Sequence, residues 1–149
     1  MPTRILLCLL VALLALSTAS AADPGIKVEK AWARATPASA TTAVVYLTVA
    51  NSGAAADRLT EVSTPVAASA DMHLMAMEGN VMQMRDVDAV DVKPGDRISF
   101  KPGGLHIMLM NLKRPLQKGE RFALSLVFEK AGRIDVDVLV LPIGASAYP

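Results

Sequence analysis

One cysteine is present in 149 residues, Cys8, and it lies inside an N-terminal apolar run, Ile5–Leu16. If that run is removed, the remaining chain has no thiol. A Cys-x-x-Cys redox pair, a Cys-x-x-Cys-His haem attachment and a blue-copper thiolate are then all excluded. Charge of one sign is also missing: the formal net charge is +1, with acids and bases interspersed. No basic or acidic block offers a footprint for nucleic acid or an anionic membrane surface. The apolar run has only twelve residues, short of the roughly 20 needed to cross a bilayer. Histidine is also scarce, at two residues. With no Gly-x-Ser-x-Gly elbow beside them, a hydrolase has little to work with, so no enzyme is expected.

Arg4 ahead of the apolar run, and Ser17-Thr18-Ala19-Ser20-Ala21-Ala22 behind it, have the form of a secretory signal with small residues for cleavage. Residues 1–22 are therefore expected to be a cleaved signal, and residues 23–149 one exported domain with no stable membrane insertion. Cys8 sits within the run rather than just after it, which argues against a lipid-modified N-terminus. About 127 residues suffice for one ordinary core without disulfides.

The rest of the chain reads as β. Candidate strands are Ile26–Ala33, Thr42–Asn51, Arg58–Ser63, Met72–Met77, Val81–Val87, Arg97–Lys101, Leu105–Leu112, Arg121–Phe128 and Ile134–Leu141. Ile134, Val136, Val138 and Val140 alternate with Asp135 and Asp137, the period-two pattern of a half-buried strand. Phe122, Leu124, Leu126 and Phe128 form a second alternating set. Glu78-Gly79-Asn80, Pro94-Gly95-Asp96 and Lys118-Gly119-Glu120 are among the turn signals between runs. Short strands at this spacing favour an all-β sandwich or Greek-key barrel. A single helical turn is the alternative considered for Val66–Asp71.

Both histidines fall in methionine-rich strands: Met72-His73-Leu74-Met75-Ala76-Met77 and His106-Ile107-Met108-Leu109-Met110, with Met82-Gln83-Met84 between them. Successive strand side chains point to opposite faces. Leu105, Ile107 and Leu109 then share a core face, while His106, Met108 and Met110 share the other. With Gly79-Asn80 as a two-residue turn, Met77 pairs with Met82, Met75 with Met84 and His73 with Asp86, all on one face. Methionine is an adaptable core filler, so one such strand alone reads more readily as packing. Two histidines and several thioethers on shared faces of separate strands point instead to a soft metal ion, Cu(I) above all. The expected ligands are His73, Met84, His106 and Met108, binding one Cu(I) per chain, with Met75 a spare thioether and Met77, Met82 and Met110 flanking. Only the imidazoles compete with protons for metal, so affinity is expected to fall in acid.

The spacing His-x10-Met-x21-His-x-Met, from His73 to Met108, resembles the signature of the periplasmic copper chaperones of the PCu(A)C family. Ala31-Trp32-Ala33-Arg34-Ala35, Tyr46-Leu47-Thr48-Val49-Ala50-Asn51, Asp57-Arg58-Leu59 and Lys101-Pro102-Gly103-Gly104-Leu105-His106-Ile107-Met108-Leu109 are similar to that family too, so the likeness runs from about Ile26 to Leu141. It implies a cupredoxin-like β-sandwich in the periplasm carrying copper toward the CuA centre of cytochrome c oxidase subunit II, alongside a Sco-like thioredoxin-fold partner. By position, the family's ligands correspond to the same four residues. The competing expectation is an exported structural or copper-storage sandwich, a monomer in either case, whose methionines pack or buffer metal. Some family members carry a His- and Met-rich C-terminal extension; Ser146-Ala147-Tyr148-Pro149 has neither residue type, so no second site is expected there.

Overall fold

Ten strands and no helix make up residues 25–149, the part of the chain that the computed structural model describes. The expected signal segment, its cleavage point and Cys8 lie outside the described residues. The strands are β1 (Ile26–Arg34), β2 (Thr42–Asn51), β3 (Asp57–Ser63), β4 (Ala67–Glu78), β5 (Val81–Asp86), β6 (Val90–Val92), β7 (Arg97–Phe100), β8 (Leu105–Leu112), β9 (Arg121–Phe128) and β10 (Gly132–Leu141). They form one sheet in the order β5-β4-β8-β2-β1-β10-β9-β3-β6, with β7 also paired to β2. Only β1 and β10 run parallel; the other pairings are antiparallel. The result is an all-β fold, as the alternating pattern predicts.

Alternation explains how the core is filled. Val45, Leu47 and Val49 of β2, Ile107 and Leu109 of β8, and Leu124 and Leu126 of β9 are buried almost completely. Phe122 and Phe128 join them, as the period-two reading of β9 predicts. In β10, Val138 and Val140 are buried, while Ile134 and Val136 pack against the core from its margin. Fully burying one such side chain contributes about 1.5–3 kcal/mol, so these strands hold the sheet together.

Two local departures shape the sheet. Lys30, with φ of 54°, forms a bulge in β1 between the pairs Glu29–Thr48 and Trp32–Tyr46. A non-glycine residue there is held by the paired strand on either side. Trp32 is buried, but outside the main core: it lies 4.7 Å from Tyr46, with the Arg34 guanidinium 6.0 Å from its ring. The second departure is the excursion Lys101–Gly104. β7 and β8 share one edge of β2, β7 against Leu47–Ala50 and β8 against Thr42–Val45. The chain therefore leaves the sheet after Phe100 and returns at Leu105. Gly103, with φ of 79°, supplies the turn.

The helical turn considered for Val66–Asp71 is absent. β4 instead starts at Ala67 and pairs with β8 from Ala67–Leu112 through Leu74–Leu105. Pairing with a neighbouring strand overrides the weak local preference of Ala and Ser, because strand formation depends on partners distant in sequence. β6, a three-residue strand beside β3, was not among the expected elements; Val90 and Val92 are buried there.

Candidate metal centre

β4 is the shared strand of the site, flanked by β8 on one edge and β5 on the other. On one face, Met75 pairs with Met84 and Met77 with Met82, the register that a two-residue turn at Gly79-Asn80 imposes. On the opposite edge, His73 stands directly across from His106, and Asp71 across from Met108. All of these share a parity, so both imidazoles and the thioethers of Met75, Met84 and Met108 line one face. Their locations differ: Met108 is one rung beyond the histidine pair toward Asp71, and Met84 is one rung beyond it toward the hairpin.

The two histidines are buried, at 8% and 5% exposure, and their rings meet edge-on with centroids 5.8 Å apart. Each ring is oriented by an oxygen acceptor. His73 Nε2 lies 3.1 Å from Asp86 Oδ1, and His106 Nδ1 lies 2.9 Å from the Gly104 carbonyl. Those oxygens accept, so in the neutral rings those nitrogens carry the protons. The lone pair then falls on Nδ1 of His73 and on Nε2 of His106. His73 Nδ1 is buried and has no hydrogen-bond partner. An orphaned polar atom of this kind costs about 1–3 kcal/mol, and a metal ion is one group that would satisfy it. One oxygen that accepts from the non-ligating ring nitrogen and fixes the tautomer is the usual outer arrangement of a histidine metal ligand.

Among the described residues, no three His, Cys, Asp or Glu side chains converge on a point where they could hold a metal ion. The thioethers of Met75, Met84 and Met108 are the soft donors next in register to the histidine pair, and a neutral N/S donor set suits a soft monovalent cation. Met108 and Met75 are half-buried, while Met84 is 47% exposed. Met72, of opposite parity, is buried in the core and packs. Met110 pairs with Ser69 and Thr42, two rungs from the histidines.

The excursion Lys101–Gly104 also serves the site. The Gly104 carbonyl accepts from the backbone N–H of Met75 at 3.2 Å as well as facing His106. One oxygen thus ties the hairpin strand to the His106 ring. The hairpin reading places Asp86 opposite His73, but the orienting role of Asp86 and of Gly104 becomes visible only in three dimensions. The direct His73–His106 pairing is likewise non-local, with no turn between those strands to announce it.

Residues 26–140 match the family described as "Putative lipoprotein LpqE-like". A curated relative, "Putative lipoprotein Lxx21020" from Leifsonia xyli subsp. xyli (strain CTCB07), is 29% identical over 117 residues, covering 78% of this chain and 69% of the relative. Among solved structures, the copper-bound PCuAC domain from PmoF2 superposes with a TM-score of 0.68 at 31% identity, covering 79% of this chain and 93% of that domain. The apo PmoF2 domain gives the same score and identity over 83% and 94%. The solution structure of CuI-DR1885 from Deinococcus radiodurans gives 0.60 at 26% identity over 85% of each chain. The chain belongs to the LpqE-like family, and its β-fold is that of the PCuAC domains.

Proposed function

We propose that this protein is an exported copper metallochaperone that carries one Cu(I) on His73, His106, Met84 and Met108. The observation that carries the reading is the buried, edge-on histidine pair, each ring fixed by an oxygen so that one nitrogen lone pair is left over. Solved relatives include a copper-bound PCuAC domain and a CuI form of DR1885, which supports copper as the cargo. Four neutral donors favour Cu(I) over Cu(II), and thioethers never protonate in the working pH range.

The arrangement suits transport rather than catalysis. Both imidazoles are anchored within paired strands, while Met84 sits on β5, an edge strand whose residues are all exposed. A ligand on an exposed edge can leave the ion first and let a receiving site replace it. The receiver proposed is the CuA centre of cytochrome c oxidase subunit II, reached directly or through a Sco-like partner, in the periplasm. Competition titration with a Cu(I) chelator tests the assignment. The intact protein should bind one Cu(I) more tightly than Cu(II), and His73→Ala and His106→Ala should both lose that binding. Undiminished Cu(I) affinity in both variants would remove the reading.

A further inference from the structure

The β4–β5 hairpin outruns the strand beside it. Pairing between β4 and β8 ends at Leu74–Leu105, whereas pairing between β4 and β5 continues to Glu78–Val81. The end of the hairpin is thus a two-stranded ribbon, and its two faces differ in chemistry. One face holds the Glu78–Arg85 ion pair. The other holds Met77 directly opposite Met82, one rung from the Met75–Met84 pair. Met77 is 60% exposed and Met82 51%. Packing does not account for them, because neither reaches the core. Directly opposed Cβ atoms stand about 4.5–5.5 Å apart, and adjacent rungs about 6.8 Å, so flexible thioethers can close on one ion.

We infer that Met77 and Met82, with Met75 as a third donor, form a second soft-cation site on the ribbon, taking Cu(I) or Ag(I) more weakly than the histidine centre. Three neutral sulfurs and no imidazole make it selective for a monovalent soft ion. Its place one rung from Met84 makes it a landing point for an ion entering or leaving the main centre. That staging role rests on the copper-carrier reading, whereas binding at the ribbon does not.

The test is titration of the intact domain with Ag(I), a redox-inert stand-in for Cu(I), followed by NMR of 13C-labelled methionine methyls. The first equivalent should shift Met84 and Met108, and the second Met77 and Met82. In the double variant Met77→Leu/Met82→Leu, whose changes are confined to exposed positions, the first equivalent should persist and the second disappear. Met77 and Met82 methyls that stay unmoved through several equivalents would overturn the ribbon site, as would a second equivalent that survives in the double variant. A response of Met77 and Met82 with Met84 and Met108 silent would support the ribbon site while removing the main-centre assignment, so the two failures are distinguishable.

Discussion

Asp57 and His73 are both buried polar side chains, at 6% and 8% exposure, yet their surroundings differ completely. Asp57 accepts backbone N–H bonds from Arg58 at 2.7 Å, Lys130 at 2.9 Å and Ala131 at 2.9 Å. Burial alone would raise its pKa, but the three N–H donors outweigh that, and the carboxyl is held below its usual range. His73 uses one nitrogen and leaves the other buried with no partner. Asp57 joins the start of β3 to the β9–β10 turn, and every demand it makes is met inside the protein. A buried group that the fold leaves unmet is better explained by a ligand than by stability, since the fold alone gains nothing from it.

Substitutions can break this contrast between structural and ligand-directed burial, and the largest effect is expected at the imidazoles. Loss of an outer partner of a metal ligand typically costs 10–100-fold in affinity, so removing a proposed ligand in His106→Ala should cost more than about 100-fold in Cu(I) affinity. Chelator competition measures that loss. Asp57→Asn comes next and should act on stability alone, by about 2 kcal/mol in denaturant unfolding at neutral pH, with copper affinity unchanged. The sign with pH follows from the lowered pKa. The stabilisation by Asp57 is fully present above its ordinary value of 3.8 and fades as pH falls through the lower folded value. The gap between wild type and Asp57→Asn should therefore close in acid.

Asp86→Asn should have a smaller effect than His106→Ala, with a loss of copper affinity toward the lower end of the 10–100-fold range and little change in unfolding midpoint. Its side chain is 87% exposed, so it has no packing to lose. The smallest effect is expected at Arg114→Ala. Arg114 donates to Glu120 at 2.8 Å on an exposed surface, and exposed ion pairs contribute about 0–1 kcal/mol. A thermal scan should show a drop of no more than a few degrees, with no change in metal binding.

The elements legible in the sequence were those whose information is local. The β4–β5 register followed from two residues, Gly79 and Asn80, because turn geometry fixes pairing on both sides. The core of β9 followed from alternation at Phe122, Leu124, Leu126 and Phe128. What depends on distant partners was hidden. Ala67–Asp71 has a composition that suits several conformations, and its extension into β4 is set by β8, whose paired residues lie up to 45 positions along the chain. The site divides in the same way. Parity placed His106 and Met108 on one face and His73 and Met84 on another, but that these faces are the same one required the β4–β8 pairing. A backbone carbonyl such as that of Gly104 leaves no mark in a sequence at all, and its hold on His106 emerges only once the Lys101–Gly104 excursion is folded.

X-ray absorption of the Cu(I)-loaded protein bears most closely on the proposed four-ligand centre, because it counts the atoms around the ion. Two imidazoles and two thioethers should give nitrogen and sulfur in equal number, with His106→Ala removing one nitrogen and Met108→Leu one sulfur. A shell of nitrogen and oxygen without sulfur, or one unchanged in both variants, would contradict that assignment.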